Sequence, residues 1–242
     1  MQTKFLALAA FATFGLPSAA IADSITLGSG DIGSSFSLNY NGFTNGTTVQ
    51  GLTGSTTFTL TGISGKDYTF NYSVANTSSA PVTDSRISSF AFNTDPNIAS
   101  ATSTGAFAYT TLSSNYPNGL GTVDVCFKDA KTGSCAGGGS GGLTIGQSGT
   151  GAFTLSFSQP VSSLTLSDFA VRYQSITGVS GVSSASGTGT LTSSGNSSTS
   201  SSGGTPVPEP GMVLLFAGGL LGLVAFRRKL LPASATFRPA FA

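Results

Sequence analysis

The stretch Tyr68-Thr-Phe-Asn-Tyr-Ser-Val74 decides the fold class, because an aromatic or β-branched residue alternates with a small polar residue throughout. Successive side chains of a strand point to opposite faces of a sheet, so one face of this segment is apolar and the other is polar. Tyr, Phe and Val are also residue types that are enriched in strands. The stretch is therefore predicted to form a half-buried β-strand.

The same alternation recurs from Asp23 to about Thr177, and no stretch in this region has a helical period. Turn signals of the Asn-Gly type separate the alternating runs. The runs are residues 36–40, 58–60, 90–92, 123–127, 153–157, 164–166 and 169–173. We predict an all-β domain over residues 23–182, an antiparallel β-sandwich of which a jelly roll is one form.

Composition and charge exclude several classes of function. The chain of 242 residues has no His and no Trp, and its net charge is +1. Residues 23–205 carry eight Asp against five Lys or Arg, so their net charge is −3. Without His there is no Ser–His or Cys–His nucleophile and no imidazole ligand for a metal. Nucleic-acid binding would need clustered basic residues, so we expect no nucleic-acid partner. Because the chain also lacks His, the residue that most often binds metals, we expect no metal and no cofactor.

The N-terminus has the pattern of a secretory signal peptide. Lys4 precedes an apolar run over residues 5–16, and the small residues Ala20 and Ala22 follow with one residue between them. A positive start, an apolar core and a small-x-small exit are the three parts of such a signal. Residues 1–22 are therefore predicted to be removed, which leaves Asp23 as the first residue.

Residues 183–205 are rich in Ser, Thr and Gly, and Leu191 is their only sizeable apolar residue. A segment of this composition buries too little surface to offset the entropy of ordering. It is predicted to be a disordered stalk, and its hydroxyls are candidates for O-glycosylation. An unmodified spacer is the alternative.

The C-terminal segment 206–229 has three parts in a fixed order. Val207, Pro208, Glu209 and Pro210 come first, the uncharged residues 212–226 follow, and the basic residues Arg227, Arg228 and Lys229 end the segment. A 15-residue helix spans about 22 Å, which is short of the roughly 30 Å hydrocarbon core. Basic residues stay on the cytoplasmic side, so residues 23–205 are expected outside.

These parts resemble the PEP-CTERM sorting signal of Gram-negative bacteria. The resemblance implies an exosortase as partner, a membrane cysteine protease that cuts near the Pro-Glu-Pro motif. It also implies passage through the inner membrane, transient anchoring by the C-terminal helix, and delivery to the cell surface or extracellular matrix. Exopolysaccharide and biofilm or floc formation are its usual context. Residues 230–242 depart from the family pattern, and an ordinary single-pass anchor is the alternative for residues 212–226.

Cys126 and Cys135 are predicted to form a disulfide, because the compartment is oxidising and the number of Cys is even. Free reactive thiols are the alternative, whereas a zinc site would need about four ligands at short spacing. The pair, the Gly-rich residues 137–142 and the segment 168–175 followed by residues 186–189 resemble the cistern family of PEP-CTERM proteins. That resemblance implies an anchored β-domain and assigns no catalytic residue.

The carboxylates do not indicate an enzyme. A glycosidase needs two carboxylates at a defined separation, and residues 23–205 contain no Glu. Asp124, Asp129 and Asp168 are available, but nothing in the sequence pairs them. We therefore expect a structural or adhesive surface protein without catalytic activity.

A carbohydrate-binding module is the alternative function. It would need aromatic side chains on an exposed face or loop rim, for which Tyr109, Tyr116 and Phe107 are candidates. Arg172 lies on a predicted strand between inward residues and is expected to face solvent. There it would be a candidate contact for a carboxylate or an acidic sugar.

Overall fold

A computed structural model describes residues 23–131, 134–137 and 140–195, with side chains up to residue 192. Within these ranges the chain forms antiparallel strands and two single-turn 3₁₀ helices, which confirms the predicted all-β class. The strands are β1 (Ser24–Gly28), β2 (Ser35–Thr44), β3 (Thr47–Ser64), β4 (Asp67–Asn76), β5 (Asp84–Asp95), β6 (Ser100–Ser103), β7 (Tyr109–Tyr116), β8 (Gly121–Lys128), β9 (Leu143–Thr144), β10 (Ser148–Ser156), β11 (Ser163–Thr177) and β12 (Ser184–Gly195). The 3₁₀ helices are Ser29–Asp31 and Gly105–Phe107.

The twelve strands of the described ranges belong to one sheet. Their order is β6-β10-β4-β3-β2-β12-β11-β5-β8-β7, with β1 paired to β11 and β9 paired to β5. The two strands at the ends of this order, β6 and β7, follow one another in the chain. Thr110 Oγ1 of β7 donates a hydrogen bond to the carbonyl of Ala101 in β6 at 3.2 Å. The sheet is therefore nearly closed, and it encloses one core as the two layers of a sandwich would.

The core follows from the alternation in the sequence. In β4, for example, Tyr68, Phe70, Tyr72 and Val74 are buried, while the residues between them are exposed to solvent to varying degrees. Phe58 of β3 lies in the middle of the core and is 0% exposed. Its ring centroid lies within 6.2 Å of those of Phe36, Phe90, Phe92, Phe153 and Phe169. Aromatic side chains from several strands therefore form a single contact network.

The prediction of a stalk over residues 183–205 is wrong for residues 184–195. These residues form β12, which lies inside the sheet, paired with β11 on one side and with β2 on the other. The sheet domain therefore extends past residue 182, at least as far as residue 195. The other segments predicted at the two ends of the chain, residues 1–22 and 196–242, lie outside the described residues.

The Ser and Gly content of β12 has a physical reason in the side chains beside it. A Cβ atom at Gly187 would lie 3.0 Å from the ring of Tyr173 and 3.2 Å from the Cβ of Tyr40. A Cβ atom at Gly189 would lie 2.9 Å from atoms of Tyr40 and Phe169. Because large neighbouring side chains fill the core beneath β12, the strand itself needs small inward residues.

Asp23, the predicted first residue after cleavage, directly precedes β1. Its carboxylate accepts a hydrogen bond from the backbone N–H of Leu191 in β12 at 2.7 Å. The next residues pair with β11, and Ile25 and Leu27 are buried. The first residues of the predicted mature chain therefore contribute to the sheet.

Candidate functional site

A second, smaller apolar cluster lies on the outer surface of the sheet, where β8, β5 and β11 run side by side. Cys126, Ala91 and Ala170 are cross-strand partners in these three strands. Tyr116 and Cys135 pack against them, and all five residues are at most 1% exposed. This part of the outer surface is therefore covered by chain and is not a solvated face.

The predicted disulfide between Cys126 and Cys135 is present, which removes the free-thiol alternative. The Cα atoms of the two residues are 6.1 Å apart, within the usual range for disulfides. Ser134 and Gly137 form a short antiparallel bridge in the attached segment. Ser89 of β5 donates from Oγ to the carbonyl of Cys135 at 3.1 Å. The disulfide therefore holds a small loop against the outer surface of the sheet.

Replacing both cysteines with alanine is expected to lower the free energy of unfolding by about 2–3 kcal/mol, because the unfolded chain gains freedom. Urea denaturation with and without a thiol reductant measures this change. The reductant should lower the midpoint of the native protein and leave that of the Cys126→Ala/Cys135→Ala variant unchanged. Equal stability of the two proteins in the absence of reductant would contradict the prediction.

Arg172 is 8% exposed, so the prediction that it faces solvent is wrong. Its Nε donates to the carbonyl of Ala136 at 2.7 Å, and Nη2 donates to Ser184 Oγ at 2.8 Å. Nη1 has no hydrogen-bond partner among the described residues. Burial lowers the pKa of the Arg172 guanidinium, and the nearby Tyr116 partly opposes this effect. The side chain does project from the outer face, as the alternation predicts, but the disulfide-held loop covers it.

The aromatic candidates for ligand contact have different outcomes. Tyr109 is 42% exposed and remains a candidate. Tyr116 and Phe107 are at most 1% exposed, so neither is available to a ligand in this structure. Tyr116 Oη is hydrogen-bonded to Ser89 Oγ at 3.2 Å, and the ring of Phe107 packs edge-on against that of Phe90. Burial is the reason that both predictions fail, and local sequence gave no sign of it.

Asp124 and Asp168, which the sequence left unpaired, lie on either side of Asn93. Asn93 Nδ2 donates to Asp168 Oδ2 at 2.9 Å, and Asn93 Oδ1 accepts the backbone N–H of Asp124 at 2.9 Å. Asp124 Oδ2 in turn accepts the backbone N–H of Thr94 at 2.8 Å. These contacts connect β5, β8 and β11, so the two carboxylates take part in structural hydrogen bonds. Sequence reasoning missed Asn93, because no motif marks it.

Asp129 has a different environment beside the disulfide-held loop. Burial raises the pKa of its carboxyl group, which hydrogen bonds from the backbone and the charge of Arg86 partly offset. Its Oδ2 atom has no hydrogen-bond partner among the described residues.

Across the described ranges, no three side chains of His, Cys, Asp or Glu are grouped so that they could hold a metal ion.

The buried tyrosines predict loss of stability in alkali. Burial raises the pKa of the phenols of Tyr40, Tyr116 and Tyr173 above the ordinary value. The unfolded chain therefore loses these protons at lower pH than the folded protein does, so it binds fewer protons in alkali. Stability from these groups should be complete below about pH 10 and fall as the pH rises further. Urea midpoints measured across that range test this expectation.

Tyr173 offers a sharper form of this test. Its Oη has no hydrogen-bond partner in the described part of the chain, whereas Tyr40 Oη is hydrogen-bonded to Thr56 Oγ1 at 3.0 Å. Tyr173→Phe should therefore reduce the alkaline loss without lowering stability at neutral pH. Tyr40→Phe should lower stability at neutral pH by about 1 kcal/mol, because it removes a buried hydrogen bond. A Tyr173→Phe variant with an unchanged alkaline profile would count against the raised pKa.

The residues of the predicted sorting and processing motifs lie outside the described ranges, so the chain comparisons bear on them instead. In the comparison with known families, residues 206–229 match the PEP-CTERM protein-sorting motif. The chain carries a PEP-CTERM sorting motif. The match covers the Pro-Glu-Pro segment, the apolar run and the basic end, as predicted. No curated protein and no solved structure matches the chain, and the finer resemblance to the cistern family is not confirmed.

The PEP-CTERM motif indicates an extracellular protein that an exosortase sorts. It also indicates secretion and delivery to the cell surface. Among the described residues, no helix is long and apolar enough to cross a membrane. The predicted C-terminal helix belongs to the residues that are not described.

Proposed function

We propose that this PEP-CTERM protein is a non-enzymatic component of the extracellular matrix, associated with exopolysaccharide in biofilm or floc formation. The sorting motif at residues 206–229 carries the proposal, because it directs the sheet domain to the cell exterior. The association with exopolysaccharide is inferred from the usual context of such sorting signals. Exosortase is the processing partner, and the inner membrane is a stage of transit.

The absence of an enzymatic role is supported by the use that the fold makes of its polar groups. Asp124 and Asp168 take part in hydrogen bonds that connect strands, and Arg172 donates to a loop carbonyl and to Ser184. A general acid or base needs access to a substrate proton. These side chains instead stabilise the fold, and the chain has no His to act in their place.

The intact mass of the full chain recovered from cells with and without exosortase tests the proposal. With exosortase, the protein should lack residues 1–22 and the apolar run after Pro210 and should fractionate with the matrix. Glu209→Gln should keep it in the membrane fraction, because the change alters the Pro-Glu-Pro segment. Arg238→Gln is the matched control outside the motif and should be processed normally.

Three outcomes would overturn the proposal. Protein recovered from the surface with residues 212–226 still attached would be an ordinary membrane-anchored protein. Processed protein that never fractionates with exopolysaccharide, in cells whose biofilm is unchanged by its deletion, would have no part in the matrix. Turnover of a substrate that is lost on Asp124→Asn would contradict the non-enzymatic role.

A carbohydrate-binding module with an aromatic contact is the second candidate, because Tyr109 is 42% exposed on the end strand β7. A glycan array separates the two functions. Binding to a discrete glycan that is lost on Tyr109→Ala would favour the module. Binding that is unaffected by Tyr109→Ala would remove the aromatic contact from consideration.

A further inference from the structure

One face of the sheet is built almost wholly from hydroxyl and amide side chains, and we call it the hydroxyl face. It lies on the outer surface of β12, β2, β3, β4, β10 and β6, which are neighbours in that order. Its members are Thr188, Thr190, Ser35, Ser37, Asn39, Asn41, Thr53, Ser55, Thr57, Thr59, Thr69, Asn71, Ser73, Ala75, Ser148, Thr150, Ala152, Thr154 and Thr102. None of these side chains is buried, and they alternate with the buried residues of the core.

The hydroxyl face is arranged in rows that cross the strands. Ser37, Thr57, Ser73 and Thr150 are successive cross-strand partners and form the central row. Neighbouring strands lie about 4.8 Å apart, and equivalent positions along a strand repeat about every 6.8 Å. The face therefore presents a two-dimensional lattice of donors and acceptors.

Charge is missing from this lattice. Its members are all Ser, Thr or Asn except Ala75 and Ala152, while Lys66 and Asp67 stand at its border. Solvated sheet faces are ordinary in antiparallel proteins, but Lys, Arg, Asp and Glu usually contribute to exposed surfaces. An uncharged surface offers no opposite charge to a strongly charged polymer. Phe43 of β2 also stands at the border of the face, and the face itself has no large apolar side chains and so lacks the core that a protein interface needs.

Several hydroxyls of this face are already held in place by one another. Ser37 and Thr57 are hydrogen-bonded at 2.8 Å, Ser35 and Thr59 at 2.7 Å. Thr69 of β4 and Thr154 of β10 are likewise hydrogen-bonded at 3.2 Å. A hydroxyl has one proton and two lone pairs, so each pair keeps further capacity for hydrogen bonds. Side chains that are ordered before a ligand binds lose less conformational entropy when it binds.

We propose that the hydroxyl face binds uncharged polysaccharide chains of the matrix. This inference rests on the proposed function and assigns it a surface. A sugar polymer repeats along its length and carries hydroxyls that both donate and accept, so it can pair with many positions of a repeating face. Each hydrogen bond contributes little in water. Binding therefore depends on many simultaneous contacts along one polymer, and it needs no aromatic platform.

Co-sedimentation of the full chain, kept in detergent micelles, with insoluble cellulose and curdlan tests the proposal. The central-row variant replaces Ser37, Thr57, Ser73 and Thr150 with alanine and should reduce affinity about tenfold or more, because four contacts are lost. The matched control replaces four hydroxyls outside the face, those of the hydrogen-bonded pairs Thr26–Thr165 and Thr83–Thr177. It should bind within about twofold of the native chain.

A second variant keeps the shape of the surface. Asn39→Asp with Asn71→Asp adds two charges at exposed positions without changing side-chain size. It should weaken binding to both glucans, since each charge must be desolvated without a partner. The matched control is Asn97→Asp with Asn115→Asp, which lie in exposed positions outside the face. Thermal unfolding of every variant establishes that it is folded, and the isosteric pair keeps the test valid if the alanine variant is not.

The outcomes separate this inference from the proposed function. Native affinity in the folded central-row variant or in the Asn39→Asp/Asn71→Asp variant overturns the inference, as does failure of the native chain to bind either glucan. Binding to anionic alginate alone also overturns it. If the native chain fractionates with the matrix while the variants do so equally, the proposed function stands and the hydroxyl face is not its binding surface. If the native chain is neither processed nor bound to the matrix, the proposed function is wrong, whatever the hydroxyl face binds.

Discussion

A protein that spans residues 23–182 is expected to be unfolded, whereas one that spans residues 23–195 is expected to fold cooperatively. The difference is β12, which pairs with both β11 and β2. Its removal breaks two ladders of hydrogen bonds and exposes core side chains such as Tyr40 and Tyr173. A domain is stable by only about 5–15 kcal/mol, so loss of an interior strand should abolish folding. Near-ultraviolet circular dichroism with urea denaturation measures the result.

A pair of substitutions in the full chain provides an independent control. Gly187→Val places a side chain against Tyr173 and should lower the free energy of unfolding by about 1–3 kcal/mol through overpacking. Thr188→Val is its exposed neighbour and should change stability by no more than about 0.5 kcal/mol. If Gly187→Val has no effect and the 23–182 protein unfolds with the same midpoint as the 23–195 protein, residues 184–195 are a stalk after all.

Phe58→Ala is expected to lower the free energy of unfolding by about 3–5 kcal/mol. The ring is 0% exposed and contacts five other phenylalanine rings from strands on both sides of the core. Its removal leaves a cavity that these rings cannot fill without moving from their own packing positions. Urea denaturation with an unchanged slope would attribute the lower midpoint to lost packing.

Tyr109→Ala is the matched control for this substitution. It removes an aromatic side chain of similar size from a position that is 42% exposed, so it should change stability by only about 0.5 kcal/mol. A loss below about 1 kcal/mol for Phe58→Ala would contradict a close-packed aromatic core. Equal losses at the two positions would mean that burial does not set the cost.

The fold class was predictable because alternation is a local signal. The stretch 68–74 forms part of β4, with its aromatic residues inside, and the pattern over 169–173 lies within β11. What the pattern cannot supply is the order of strands in the sheet. Closure of β6 towards β7 depends on contacts between residues that local periodicity does not relate, such as Thr110 and Ala101.

The wrong predictions for β12 and Arg172 share one cause. Whether a residue is buried depends on residues that are near it in the fold but distant in the sequence. β12 was predicted to be a stalk because its own side chains are small, yet Tyr40 and Tyr173 fill the space beside it. Arg172 was expected to be solvated because its strand alternates, yet a loop lies over it. The two cysteines were the available hint, since a disulfide at residues 126 and 135 ties the loop between them to the strand that contains Cys126.

The sorting motif was the most predictable feature of function, because all the residues that define it lie in one contiguous segment. Pro-Glu-Pro, an apolar run and basic residues follow one another within residues 206–229. The ligand contacts were the least predictable. Tyr116 and Tyr109 lie on the same strand and look alike in sequence, but one is buried and the other is exposed.

The position of β12 also has a mechanical consequence. It is the last described strand before the sorting segment, so tension applied from the C-terminal side would enter the sheet through β12. The strand is bonded to β2 along most of its length and to β11 over its first residues. Because antiparallel hydrogen bonds lie perpendicular to the strands, a pull along β12 loads many of them together in shear. A terminal strand at the end of the sheet would instead peel away one bond at a time, so an interior β12 resists a load from the C-terminal side better than an edge strand would.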